Sequence, residues 1–237
     1  MSASGPKLAP PPPAEALPKD RSPFAHLLHA LNQPLTGLQC SLELAAAGPR
    51  RPEQYSRTIR ESLELTLRMR VLVEALRELA DLEHTDLDRG QAFALDQLLG
   101  ETAEELQPVA ETLHVKLATR YDTPLSVQAD RRALAALTFR FLESVLSLAG
   151  EGTELLIAAT RGEGQGALTV CWIDGPPPEH SPFSRPELGL LIAQAGWERA
   201  GAQWERQRAA GGQSCTIRLP LARSGEVSQD AKAENLR

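Results

Sequence analysis

Seven apolar residues, Phe24, Leu28, Leu31, Leu35, Leu38, Leu42 and Ala45, follow one another at steps of 4, 3, 4, 3, 4 and 3. That spacing keeps one narrow stripe facing a neighbour and restricts the segment to a helix of coiled-coil type. Ser22-Pro23 predicts its start, with Ser as N-cap and Pro at the first helical position. Gly48-Pro49 predicts its end. Pro34 falls inside, removes a backbone donor and predicts a kink. A second helix is expected from about Pro52 to Glu83, where Leu65, Leu72 and Leu79 recur at seven and Met69 and Leu76 do the same. Arg57, Arg60, Glu61, Glu64, Arg68, Glu74, Arg77 and Glu78 mark its solvent side. Two long helices with a short connection form a hairpin. A lone hairpin leaves its seam half exposed, so a symmetric dimer making a four-helix bundle is the expected solution.

Composition bounds the rest. The chain has 237 residues, enough for two modest domains, with 42% hydrophobic residues and only 4% aromatics, so the core is built mainly of Leu, Ala, Val and Ile. A net charge of −6 disfavours a nucleic-acid binder. Cys40, Cys171 and Cys215 are widely spaced, which argues against a zinc site or a disulfide framework and favours a cytoplasmic protein. No apolar run approaches the ~20 residues of a membrane helix, and the N-terminus lacks the apolar stretch of a signal peptide. Residues 1–22 are Pro-rich and read as a disordered arm, with a PxxP ligand as the competing reading. Residues 223–237 read as a polar tail.

Past a polar stretch, His84 to Gln91, the pattern becomes mixed. Helices are expected over 96–113, Arg131 to Ala149 and Arg185 to Ala200. Strands are expected over Val115 to Thr119, Leu125 to Gln128, Leu155 to Thr160, Ala167 to Asp174, Gln203 to Gln207 and Ser214 to Leu219, with Gly-rich turns at 162–166 and 211–212. Helices interleaved with antiparallel strand pairs imply an α+β fold, a sandwich with its helices on one sheet face.

His29-Ala30-Leu31-Asn32-Gln33-Pro34-Leu35-Thr36 lies on the heptad helix and resembles the H-box of bacterial two-component sensor histidine kinases, His-Glu-x-x-x-Pro-Leu. Residues 23–86 then resemble the family's dimerisation and phosphoacceptor hairpin. Residues 92–222 resemble its ATP-binding domain, an α/β sandwich of the GHKL-like type. Together these cover about four-fifths of the chain. The resemblance implies that His29 is the phosphoacceptor, exchanging a phosphoryl group with an Asp of a response-regulator receiver domain. Local geometry agrees: His29, Gln33 and Thr36 stand at i, i+4 and i+7, one stripe on the flank of the bundle, and a free imidazole is nucleophilic near neutral pH. The competing reading is an exposed His without a role. The family's acidic residue after the phosphoacceptor, a base worth typically 10²–10⁴-fold, is Ala30 here. Gln33 holds the position that in the family helps orient water, with an ordinary polar helix residue as the alternative.

The resemblance also implies nucleotide motifs, and these are altered. After the lead-in Asp130-Arg131-Arg132, the two Asn positions fall on Arg140 and Ser144, beside Glu143. The adenine-recognition turn reads Ile173-Asp174-Gly175-Pro176-Pro177-Pro178; one register puts Ile173 at the adenine Asp, the other puts Asp174 there with a one-residue deletion, and in either the second glycine is Pro. Glu187-Leu188-Gly189-Leu190 stands for Gly-Leu-Gly-Leu, and Glu179 to Pro186 is short for a nucleotide lid. Ser144, Asp174, Gly175 and Gly189 are therefore the candidate, degenerate ATP-site positions. The expected function is two-component signalling by phosphoryl exchange with a response-regulator Asp, as a histidine phosphotransferase or degenerate histidine kinase, the relay needing no cofactor beyond Mg2+ carried by its partner. The alternatives are a cytosolic kinase using ATP and Mg2+, and a non-catalytic adaptor for a regulator or kinase.

Overall fold

The computed structural model describes residues 22–49, 51–84, 91–122, 125–162, 164–175, 184–209 and 211–222. The expected arm before Ser22, the tail 223–237, most of the polar stretch 84–91, Pro176 to Pro178 and most of the expected lid segment lie outside the described residues.

The heptad segment forms α1 (Pro23–Ala46) and the next segment α2 (Pro52–His84). Ser22 precedes Pro23 as expected, but its side chain makes no capping bond; its carbonyl accepts from the His26 amide instead at 3.1 Å. The helix runs unbroken through Pro34. That proline leaves the Ala30 carbonyl without its i+4 donor. Two different faces of the hairpin carry apolar residues. Leu27, Ala30, Leu72, Ala75 and Leu79 are buried within the chain. The seam residues Leu28, Leu35 and Leu42 stay 44%, 51% and 52% exposed, and Ile59, Leu63 and Leu67 of α2 are at least half exposed as well. A monomer thus shows a contiguous apolar stripe to solvent, which marks an interaction surface.

Beyond the hairpin come β1 (Ala92–Ala94), α3 (Leu95–Thr112), β2 (Lys116–Tyr121), β3 (Ser126–Gln128), α4 (Arg131–Leu148), β4 (Glu154–Arg161), β5 (Gln165–Trp172), α5 (Arg185–Arg199), β6 (Gln203–Ala209) and β7 (Gly212–Pro220). Five strands form one sheet in the order β2-β4-β5-β7-β6, and β1 pairs with β3 in a separate two-stranded ribbon. The α+β expectation holds, with two differences. β1 is a strand the sequence does not announce. β2 lies parallel to β4, whereas β4/β5, β5/β7 and β7/β6 are antiparallel. One sheet face is dry: Leu155, Ile157 and Ala159, then Leu168, Val170 and Trp172, then Cys215, Ile217 and Leu219 alternate inward and meet Leu98, Leu99, Leu106, Phe141, Leu142 and Trp197 of the helices. Cys40, Cys171 and Cys215 are unpaired. Burial pushes the Cys215 thiol far above its ordinary value, which leaves it inert.

Helix α5 belongs to both cores. Its Leu190, Ala193 and Trp197 face the sheet, while Leu188 and Ile192 complete the cluster of Leu27, Ala30, Leu72, Ala75 and Leu79 on the hairpin. Three polar links reinforce this docking. Arg140 of α4 pairs with Glu78 of α2. Arg185 approaches Glu74 at 3.8 Å. Arg199 donates to the Glu83 carbonyl at 3.0 Å.

Candidate functional site

His29 and Gln33 are both exposed on α1, on the helical stripe their spacing predicts. Neither makes a hydrogen bond or ion pair among the described residues. Thr36, the third member, is committed differently: its hydroxyl donates back to the Asn32 carbonyl at 2.9 Å. One position along, the helix turns inward, and Ala30 is 2% exposed. The residue that replaces an acid is therefore a packing residue, held beneath Leu188 and Ile192 of α5. A carboxylate there would have to enter an apolar cluster, at a cost of several kcal/mol, or push α5 away.

The four candidate nucleotide positions separate into two places. Ser144 and Gly189 meet directly. A Cβ at 189 would fall inside the contact radius of the Ser144 Oγ, so the glycine allows α5 to approach α4. Gly189 lies within α5 rather than in a loop ahead of it. Both residues line a cavity of about 360 Å³ between α4, α5 and the hairpin. Its charged walls are Glu74, Glu78 and Glu143 against Arg140 and Arg185, and Arg140 already serves Glu78. An excess of carboxylates is the wrong electrostatic setting for a triphosphate.

Asp174 and Gly175 do not line that cavity. The Gly175 amide donates to the Leu148 carbonyl at 2.8 Å, which ties the turn to the end of α4. The Asp174 carboxylate is occupied by the protein itself. It accepts from the Gln213 amide at 2.6 Å and 2.5 Å and from the Trp172 indole at 3.0 Å. Arg208 stands 3.7 Å away. The Gln213 carbonyl oxygen accepts from Arg206 Nε at 2.8 Å. Arg206 then spends its two remaining nitrogens on Glu187, at 2.8 and 3.1 Å, with its guanidinium 5.8 Å from the centre of the Trp172 ring. A single network thus joins Asp174 to Glu187, two positions where the kinase pattern contacts nucleotide. Arg206, Arg208 and Gln213 are functional-site neighbours the sequence reading misses. The available signal was Gln213, a polar residue at the buried end of the otherwise apolar row Cys215, Ile217 and Leu219.

These residues do not fit ATP and Mg2+. The carboxylate at the adenine position already accepts from Gln213 and Trp172, an ion-paired Glu187 stands where the resemblance expects a glycine, and Ser144 is buried against Gly189.

Comparison with protein families matches residues 23–85 to the His Kinase A (phospho-acceptor) domain. The hairpin is thus similar to that family's domain, and the α+β sandwich that follows it has the fold of histidine kinase catalytic domains. Among solved structures, the Acinetobacter baumannii histidine kinase AdeS is 17% identical with a TM-score of 0.53, over 81% of this chain and 98% of that one. Histidine kinase ThkA, in complex with response regulator protein TrrA, is 18% identical with a TM-score of 0.57, over 84% and 60%. Full-length ShkA in complex with AMPPNP is 19% identical with a TM-score of 0.51, over 84% and 45%. This chain therefore spans less than two thirds of those last two chains. At these identities the likeness is one of fold. A comparison with curated proteins finds no match. Among the described residues, no helix is long and apolar enough to cross a membrane.

Proposed function

We propose that this chain is a histidine phosphotransferase of two-component signalling, carrying phosphoryl groups between receiver domains through His29 without using ATP. The observation that carries the reading is the closed network Asp174–Gln213–Arg206–Glu187, which fills with protein groups the contacts a nucleotide would require. Acceptance from a receiver is chemically complete without that site. A ring nitrogen of His29 attacks the phosphorus of an aspartyl phosphate, the N–P bond forms, the acyl P–O bond breaks, and the Asp carboxylate leaves to Mg2+ held by the receiver. The reverse step passes the group to the next receiver. The exposure of His29 and the free flank around Gln33 support access for such a partner, and the neighbour solved with its response regulator shares this two-part fold. Gln33, exposed one turn beyond, is the residue that would orient water toward a docked acyl phosphate. The exposed stripe of Leu28, Leu35, Ile59 and Leu63 supports a homodimer closing a four-helix bundle.

Purified chain is incubated separately with labelled ATP and with a labelled phosphorylated receiver domain. Label arriving from the receiver, and lost in His29→Gln, is the expected result. Label arriving from ATP alone identifies an active kinase and overturns the reading. Receiver binding without label transfer identifies a non-catalytic adaptor and overturns it equally. Leu35→Lys with Leu63→Lys is expected to give a monomer by sedimentation; a wild-type monomer at micromolar concentration would remove the dimer.

A further inference from the structure

On the other side of the Arg140–Glu78 pair from the small cavity, a trough of about 690 Å³ runs between α2, α3 and α4. Its floor holds Leu98, Ala133, Ala136 and Phe139, with Ala136 exposed and Phe139 half-buried. Surface helices of a soluble domain ordinarily carry charge at such positions, so a lipophilic floor here marks a contact surface. Its rim is acidic: Asp81 from α2, Glu101 and Glu105 from α3, and Glu143 from α4. Glu101 is paired with Arg131, whereas Glu105 and Glu143 form no ion pair among the described residues. The C-terminal turn of α2 adds the negative end of its dipole beside Asp81.

We propose that this trough is a docking site for a cationic amphipathic helix of a partner protein. The walls and floor are all helical, so they offer no free backbone ladder, and an extended peptide laid there would leave its own amides unpaired. A helix satisfies its backbone internally, and the small side chains Ala133 and Ala136 let it approach at the usual 8–10 Å between axes. The surplus of carboxylates on the rim selects Lys and Arg on its flanks. The chain's own ends do not match this chemistry. Residues 1–21 carry Lys7, Lys19 and Arg21 against Glu15 and Asp20 and are broken by prolines, and residues 223–237 balance Arg223, Lys232 and Arg237 with Glu226, Asp230 and Glu234. The site is separate from the His29 stripe, and the proposal stands independently of the phosphotransferase reading.

The test uses the full chain and two fluorescein-labelled helical peptides of about 15 residues, one of Leu and Lys, the other of Leu and Glu, followed by anisotropy. The Leu/Lys peptide is expected to bind, more weakly at high salt, and the Leu/Glu peptide is not. Glu105→Lys with Glu143→Lys, and separately Ala136→Trp, which fills the floor, should each weaken binding by at least about tenfold, with the thermal transition unchanged. Four results overturn the proposal: no binding of the Leu/Lys peptide, equal binding of both peptides, binding untouched by the trough variants, or loss of binding in Leu35→Lys, which would put the peptide on the hairpin seam. Trough variants that change the sedimentation of the free protein would make the surface an interface between copies, and would overturn it too.

Discussion

Arg206 holds Glu187 with both terminal nitrogens, Nη1 to Oε2 at 2.8 Å and Nη2 to Oε1 at 3.1 Å. The pair joins strand β6 to the first turn of α5, where a carboxylate also complements the helix dipole. Because α5 is shared between the sandwich core and the hairpin cluster, this contact helps set the position of the second domain against α1. Fold and site are therefore coupled through one helix, and substitutions at its N-terminus act on both.

The network is the first place to measure this. The Arg206 and Glu187 side chains are 26% and 33% exposed, between a surface pair worth ~0–1 kcal/mol and a buried one whose breakage costs ~3–5 kcal/mol. Arg206→Ala also takes a donor from Gln213, so about 2 kcal/mol is expected. Arg206→Lys keeps the charge but loses the fork, and about 1 kcal/mol is expected. Urea unfolding followed by tryptophan fluorescence reads both; equal midpoints for the wild type and Arg206→Ala would show that the network contributes nothing.

Gly189 and Ser144 offer a sharper test, because their contact is mutual. Gly189→Ala forces the new methyl into the Ser144 hydroxyl, and overpacking of this kind costs ~1–3 kcal/mol. Ser144→Gly in the same chain removes the obstacle. The double variant should recover at least half of the loss, a coupling that a double-mutant cycle reads directly. Independent, additive effects would mean that α5 shifts and the contact is not limiting.

What the chain discloses in advance follows the range of the interactions. The hairpin is legible because a seven-residue repeat is a local signal sustained over α1 and α2. The strands β4, β5 and β7 are legible because alternate residues must face a dry core. β1 is not, since three residues carry no period. The parallel pairing of β2 with β4 is not either, since it depends on a partner beyond α4. His29 is read from a contiguous motif. The Asp174–Gln213 contact spans 39 residues and could be suspected only from one polar residue in an apolar row. Ala30 shows the limit best: its neighbours in sequence present it as a missing base, and only Leu188 and Ile192, brought in by α5, present it as packing.

Ala30→Glu separates those two descriptions. An isolated carboxylate in this cluster is expected to cost ~2 kcal/mol or more of domain docking, since relaxation lets the charge reach water by displacing α5. Hydrogen exchange should then rise along Leu188 to Ala195 while the β4–β5–β7 core keeps its protection. Ala30→Gly, which removes only a methyl, should leave α5 protected. If Ala30→Glu exchanges like the wild type throughout, α5 does not rest on this position and the docking is carried by the rest of the cluster and its polar links.

Acid stability gives the final test, on the edge strand β6. Glu205 on β6 has its carboxyl held below the usual carboxylate range, first by the hydrogen bond from the Gln207 amide at 2.7 Å and then by Arg218 at 2.9 Å. A group whose pKa is lower folded than unfolded binds its proton more tightly in the unfolded chain. Its contribution is therefore full above the ordinary value of ~4.3 and is lost as pH falls through that value toward the folded one. The pair is exposed, so the effect should be small and should shrink in high salt. Urea midpoints measured between about pH 6 and pH 3 should fall less steeply in Glu205→Gln than in the wild type, with the two curves converging at the acid end. Parallel curves would show that Glu205 ionises alike in both states and that the Arg218 contact does not order this edge.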